Sequence, residues 1–253
     1  MNELEHTFIE TNGVKLHVVL AGVSTGSTSA SAEAILLLHG FPEYWGGWQK
    51  QIPALAEAGY RVIIPDQRGY GQSDVPQDVK AYALPELGRD VIGLLDHFGI
   101  EKVNLVGHDW GAVVAWSVAL TSPERVNKLA ILNVPHPIAM RNFLKKSPKQ
   151  MLKSWYIGFF QFQGLADWLM KRDDFALAVR LLLGSGQKGT FSRPELEAYK
   201  QAWAASGGLT GMINWYRALV RYPPPAPADI HIHLPTLILW GKNDVALSHE
   251  MAE

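Results

Sequence analysis

The sequence predicts an α/β protein with a mostly parallel sheet and helices on both faces of that sheet. Two observations predict this class. Short apolar runs of strand length alternate with amphipathic stretches through the first half of the chain, and one more apolar run returns near residue 235 after a long helical stretch. The 253 residues are enough for one sizeable core.

The elements of the first half follow one another in strand–helix order. After a turn at residues 11–13, strands are expected at 13–20, 35–38, 60–64, 102–106 and 126–133, and helices at 48–58, 84–98 and 111–120. Residues 22–34 are small and polar, which indicates a loop. The continuous apolar run at 35–38 is typical of a strand that is buried on both faces of a parallel sheet.

The alternation stops after Pro135. Residues 136–222 are helical in pattern and rich in aromatic side chains, and the proline run at 223–227 then requires an extended path. A buried-strand pattern resumes at 235–241. We therefore expect residues 1–135 and 227–253 to form one α/β core, with residues 136–226 as a helical insertion.

Composition excludes several classes of function. Twenty-three basic and 24 acidic residues leave a net charge of -1, which does not favour nucleic acid or an anionic membrane as a partner. The absence of cysteine excludes disulfides, thiolate nucleophiles and cysteine-ligated metals. The first ten residues do not resemble a secretory signal, and no apolar run is long enough to span a membrane. We expect a cytoplasmic protein without a metal or cofactor.

The strongest local motif is Gly107-His108-Asp109-Trp110-Gly111, between a predicted strand and an apolar helix. Glycines on both sides of a central residue permit a tight turn that lifts the central side chain out of the sheet. The following helix presents free N–H groups that favour an ionised carboxylate. Asp109 is therefore a candidate nucleophile, and the alternative is an ordinary aspartate near a helix N-terminus.

Two further segments follow predicted strands. Residues 39–43, His-Gly-Phe-Pro-Glu, form a turn that can point a backbone N–H into the crevice at the carboxyl end of the sheet. Asp244 follows the late strand in an Asn-Asp turn. For each segment, a plain strand-ending turn is the alternative interpretation.

Together these segments resemble the epoxide hydrolases of the α/β-hydrolase superfamily. The resemblance rests on H-G-F-P-E at 39–43, D-Q-R-G-Y-G-Q-S at 66–73 and G-H-D-W-G-A at 107–112, and it extends from Phe8 to Asp244. In that family the insertion is a cap over the active site that carries two tyrosines, and Tyr156 and Tyr216 stand in the matching segments.

The resemblance implies a role for each matching residue. Asp109 is the nucleophile, Asp244 the acid that orients a histidine, and Tyr156 and Tyr216 the groups that act on the leaving oxygen. The backbone N–H groups of Phe41 and Trp110 are the implied oxyanion donors, and the expected substrate contacts are His39, Trp155, Phe159 and Trp215. The implied partners are a small apolar epoxide and water.

The chemistry of an epoxide agrees with an aspartate at this turn. Attack on a saturated carbon by serine would leave an ether that water cannot cleave, whereas a carboxylate leaves a hydrolysable ester. A haloalkane dehalogenase also uses Asp followed by Trp, but that family has a donor such as Asn where this chain has Phe41. A non-catalytic small-molecule-binding relative of the same fold is the other alternative.

The sequence departs from the family after Asp244. The catalytic histidine is expected on a loop after one more strand, yet His249 is the only histidine downstream. We therefore expect the base, its strand and a closing helix to be missing, and a homodimer or a separate C-terminal segment could supply them. A basic cluster on the insertion is interpreted as a solvated helix face; its members are Arg141, Lys145, Lys146, Lys149 and Lys153.

Overall fold

The structure is a computed structural model that describes residues 4–22, 32–207 and 209–252. These residues contain a seven-stranded sheet in the order β1-β2-β4-β3-β5-β6-β7. Its first two strands pair antiparallel, as do β2 and β4, and the pairs from β4 through β7 are parallel. The strands are β1 Glu5–Thr11, β2 Val14–Gly22, β3 Ala34–Leu38, β4 Arg61–Pro65, β5 Val103–His108, β6 Val126–Leu132 and β7 Thr236–Leu239. The predicted mostly parallel sheet is confirmed.

Apolar side chains fill both faces of the central strands. Leu36 pairs in register with Ile63 on β4 and Leu105 on β5, and all three are fully buried on one face. The alternate residues Ile35 and Leu37 pack into a second buried cluster on the opposite face. Since successive side chains of a strand point to opposite faces, two covered faces require a continuous apolar run.

Three helices of the core cover the sheet: α1 Ile52–Glu57, α2 Leu84–His97 and α3 Trp110–Thr121. Helix α2 buries the predicted apolar side through Leu87, Val91 and Leu94. The helix expected at 48–58 is shorter than predicted, because residues 45–48 form a 3-10 turn and α1 starts directly before Pro53. Proline suits the first turn of a helix, where its missing N–H has no partner to lose.

The two outer strands differ from the sequence-based expectation. Strand β1 was not expected, because an edge strand with one solvated face is polar enough to lack an apolar run. Strand β7 was expected to be buried, yet Leu237, Ile238 and Leu239 are exposed. In the described part of the chain, β7 pairs with β6 alone and forms the other edge of the sheet. Most of the loop expected at 22–34 lies outside the described residues.

The described residues between β6 and β7 form six helices, and we call them the cap. Two buried tryptophans tie the cap to turns at the carboxyl ends of core strands: Trp203 Nε1 donates to the Pro42 carbonyl at 2.5 Å and Trp215 Nε1 to the Arg68 carbonyl at 2.9 Å. The helices are α4 Pro137–Lys146, α5 Pro148–Lys153, α6 Trp155–Phe159, α7 Leu165–Ser185, α8 Arg193–Ala205 and α9 Thr210–Arg221. Among the described residues, no helix combines the length and apolarity that crossing a bilayer requires.

Candidate active site

Asp109 occupies the sharp turn between β5 and α3. Its φ of +49° lies in a region that residues with a side chain rarely adopt. Glycines on each side make this turn sterically possible: a Cβ at Gly107 would meet the backbone of Gly111, and one at Gly111 would meet the carbonyl of Leu38. The backbone geometry therefore supports the elbow that the sequence predicts, with the aspartate at its apex.

Backbone N–H groups hold the Asp109 carboxylate. The N–H of Phe41 donates to Oδ1 at 2.8 Å, and the N–H of Trp110 also bonds to the carboxylate. Burial raises the pKa of Asp109, and these donors together with His108 oppose that shift only in part. Gly40 is needed beside this contact, because a Cβ there would overlap the Asp109 side chain. The two predicted oxyanion donors thus lie directly against the predicted nucleophile.

Glu43 and His108 form an ion pair beside the elbow. The ring Nδ1 lies 2.9 Å from Glu43 Oε2, which also accepts from the Gly40 N–H at 3.0 Å. Burial alone would lower the pKa of His108, but the carboxylates of Glu43, Asp109 and Asp244 raise it to about 9. Burial alone would raise the pKa of Glu43, but His108 and the Gly40 N–H lower it to about 2. Both groups are therefore charged at neutral pH, and sequence reasoning did not foresee the pair.

Tyr156 and Tyr216 meet above Asp109. Their rings pack edge to face with centroids 5.7 Å apart, and Tyr216 also packs against Phe41 and Trp110. Burial, and next the nearby Asp109 carboxylate, raise the pKa of both phenols. Both hydroxyls are therefore protonated donors at neutral pH. The structure brings these two predicted residues together with Asp109.

Asp244 follows β7 and is fixed by three donors. Its Oδ1 accepts from the backbone N–H groups of Ala246 and Leu247, each at 2.8 Å, and its Oδ2 accepts from the side-chain amide of Asn133. Asn133 directly follows β6 with a φ of +60° and also accepts from the Gly241 N–H at 3.3 Å. Asn133 was not predicted, although asparagine tolerates this backbone region and a polar residue at a strand's carboxyl end was a usable signal.

An apolar cavity of about 610 Å³ contains Asp109, Tyr156 and Tyr216 in its wall. A volume of this size is typical of sites for small molecules. Core and cap both contribute to the wall, with Trp110, Val113 and Trp116 from α3, Met140 and Leu144 from α4, and Ile157, Leu219 and Leu247. The cavity thus gives an apolar molecule direct access to a carboxylate and two phenols.

The four expected substrate contacts lie elsewhere. Trp155 is 64% exposed and points away from the cavity, and Phe159 packs against it and Phe160. His39 is buried and accepts from the Gln67 N–H through Nε2, so it holds the turn at the end of β3. Trp215 is buried against Tyr70 and Trp110. None of the four is in the described cavity wall.

The nine histidines all lie within the described residues. Seven of them have at least one ring nitrogen in a hydrogen bond to another group: His6, His17, His39, His108, His136, His231 and His233. The other two, His97 and His249, are exposed. His136 uses only Nδ1, and its buried Nε2 has no partner among the described residues. His108 is close enough to Asp109 and Asp244 to interact with their charges. No histidine of the described chain forms a hydrogen bond to either carboxylate. These residues also hold no cluster of three or more metal-ligating side chains.

Comparison with known proteins finds relatives that agree with one another in fold and in name. The alpha/beta hydrolase fold family matches residues 33–253. The AB hydrolase superfamily protein YfhM of Bacillus subtilis is 41% identical over all of this chain and 86% of its own length. Epoxide hydrolase A of Mycobacterium tuberculosis is 37% identical over 95% of this chain and 82% of its own. A crystal structure of Bacillus megaterium epoxide hydrolase with an inhibitor superposes with a TM-score of 0.86 at 29% identity, covering 98% of this chain and 86% of that one.

Proposed function

This chain belongs to the epoxide hydrolase family within the α/β-hydrolase fold, and we propose that it converts an apolar epoxide to a vicinal diol through an ester on Asp109. One observation carries the proposal: a buried carboxylate at a strand-to-helix elbow faces two protonated tyrosines across an apolar cavity. The carboxylate and the phenols are the nucleophile and the acids that ring opening needs.

In the first step, an Asp109 carboxylate oxygen attacks one carbon of the epoxide and forms a C–O ester bond. The ring C–O bond breaks, and its electron pair stays on the epoxide oxygen as an alkoxide. Tyr156 and Tyr216 donate hydrogen bonds or a proton to that oxygen, a contribution of roughly 10²–10⁴ in rate. Since burial and the nearby carboxylate raise the pKa of both phenols, each holds its proton until an alkoxide develops.

In the second step, water attacks the ester carbonyl. The resulting oxyanion is stabilised by the N–H groups of Phe41 and Trp110, which already contact the carboxylate. Asp244 is held in place to orient a base, but no histidine of the described residues contacts it. We therefore expect the described residues to form the ester faster than they hydrolyse it.

Intact-mass measurement after incubation with styrene oxide tests this function. The chain is expected to gain the mass of one epoxide on the peptide that contains Asp109, and Asp109→Ala is expected to gain nothing. The matched control Asp173→Ala, in which a 69% exposed aspartate is replaced, should be alkylated like the parent chain. Equal alkylation of Asp109→Ala, or epoxide binding by the parent without an adduct, would reject the covalent mechanism. The second result would favour a non-catalytic binding protein.

A further inference from the structure

A stripe of large apolar side chains lies exposed along one side of the cap. Trp155 and Phe162 are 64% and 63% exposed and Leu152 is 76% exposed, and Met151, Leu165 and Trp168 continue the stripe. These residues lie on three consecutive helices of the cap and the turn between the last two: Leu152 on α5, Trp155 on α6, Phe162 on the turn, and Leu165 and Trp168 on α7. Exposed apolar side chains in a continuous stripe mark an interaction site more often than single ones do.

The same segment buries its opposite side. Phe160, Ala166 and Met170 are fully buried, and consecutive backbone turns join the segment, including Phe162 N–H to the Phe159 carbonyl and Ala166 N–H to the Phe162 carbonyl, at 3.1 and 3.0 Å. The orientation of the stripe is therefore set by the packing of the cap, and its apolar side chains face outward in the folded protein.

The charge beside this stripe is mainly positive, since Asp167 within the stripe is paired with Arg217 and only Glu250 lies near one of the lysines, Lys149. Residues 137–166 contain Arg141, Lys145, Lys146, Lys149 and Lys153 and not one aspartate or glutamate. None of these five cations forms a salt bridge in the part of the chain that the structure describes. Lys153 Nζ instead donates to the backbone carbonyl of Asp244 at 3.1 Å, which leaves four cations for an anionic partner. An aromatic and aliphatic stripe flanked by lysines that lack salt bridges is the composition that binds at the interface of an anionic bilayer.

We propose that this face of the cap docks onto the surface of an anionic phospholipid bilayer. The side chains of Trp155, Phe162 and Leu152 enter the acyl boundary, and the lysines contact lipid headgroups. The contact is peripheral, so it does not require a membrane-spanning helix. It gives the basic cluster a binding role in place of the solvated face that the sequence suggested.

A second copy of the chain is a poorer occupant of the same face. A symmetric contact would bring the five cations of one copy against the five of the other, and like charges at close range are destabilising. An anionic lipid surface instead complements the charge of the lysines and the apolarity of the stripe.

The position of the cavity agrees with a lipid partner. Helix α4 carries three of the five cations, Arg141, Lys145 and Lys146, and its Met140, Arg141 and Leu144 also line the cavity. Docking therefore places one wall of the cavity near the lipid. This consequence rests on the proposed function: an apolar epoxide dissolved in the bilayer would have a short path to Asp109.

Vesicle co-sedimentation of the whole chain, without substrate, tests the docking separately from catalysis. We expect binding to vesicles of equal parts phosphatidylcholine and phosphatidylserine, little binding to phosphatidylcholine alone, and release at high salt. The triple variant Lys145→Gln, Lys146→Gln, Lys149→Gln should bind about a hundredfold more weakly, since each lysine near the surface contributes roughly fivefold. Trp155→Ala and Phe162→Ala should each weaken binding about tenfold.

Matched controls replace the same types of side chain at positions in the α/β core. Lys80→Gln, Lys102→Gln, Lys128→Gln removes three exposed lysines, and Phe8→Ala removes an exposed aromatic ring, and neither should change binding. Equal loss in these controls, equal binding to neutral vesicles, or no binding at all would overturn the proposal. Self-association without vesicle binding would also overturn it and would identify the face as a contact between copies.

Discussion

Replacing Glu43 by glutamine removes the carboxylate that lies 2.9 Å from His108 Nδ1, and the change has a calculable effect on stability. The pKa of Glu43 falls from 4.5 to about 2 in the folded chain, which corresponds to about 3 kcal/mol of interaction. The His108 side chain is 37% exposed, so solvent screens the pair and we expect about 1–2 kcal/mol.

The pH dependence follows from the direction of the two pKa shifts. His108 has a folded pKa of about 9, above its ordinary 6.5, so its contribution is complete below 6.5 and is lost as pH rises through 9. Glu43 has a lowered folded pKa, so its contribution is complete above 4.5 and is lost as pH falls through 2. The ion pair therefore contributes most between about pH 4.5 and 6.5.

Urea unfolding of the parent, Glu43→Gln, His108→Gln and the double variant measures this contribution as a coupling free energy. We expect about 1–2 kcal/mol of coupling in the middle of that window and almost none at high pH, where His108 is neutral. The corresponding cycle on Lys50 and Glu195, an exposed ion pair, should give a smaller coupling. A Glu43–His108 coupling that stays constant from pH 5 to pH 10 would refute the reasoning, because the charge of His108 would then not be its source.

Three further changes test the site and the packing around it. Tyr216→Phe should slow alkylation of the chain by styrene oxide by a factor of roughly 10²–10⁴, as measured by rapid-mixing mass spectrometry. An unchanged alkylation rate would show that Tyr216 only packs against its neighbours. Gly111→Ala should destabilise the chain by more than about 2 kcal/mol in urea unfolding, because the new Cβ meets the Leu38 carbonyl at the end of β3; Gly158→Ala, with open space around it, should not. Arg217→Met should cost about 3–5 kcal/mol by the same measurement because it leaves a partly buried carboxylate without its cation, whereas Arg172→Met at an exposed position should cost under about 1 kcal/mol.

The sequence by itself determined the features that arise from neighbours along the chain. Apolar runs such as 35–38 predicted the central strands, since a strand covered on both faces has no polar positions. The glycines around Asp109 predicted the elbow, because the turn requires residues without a Cβ at both places. The resemblance to epoxide hydrolases added the two cap tyrosines, which no local pattern distinguishes from packing residues.

Only the tertiary structure decided the partners of the site residues. Glu43 and His108 are 65 residues apart in the chain, and Asn133 and Asp244 are 111 apart. Each of these four residues looks locally like a turn or strand-end residue. Their pairing depends on which strands are neighbours in the sheet, and periodicity does not report that order.

Tertiary structure also decided which aromatic side chains reach the cavity. Trp155 and Tyr156 are adjacent, yet Tyr156 lines the cavity and Trp155 faces outward, because consecutive residues on a helix point about 100° apart. The rotation of that helix is set by Phe160 and its neighbours packing beneath it. Strand β7 follows the same rule: its apolar sequence predicted a strand, but its exposure depends on what lies beside it. Local sequence specifies the conformation of a segment, and the direction in which its side chains point depends on packing between distant segments.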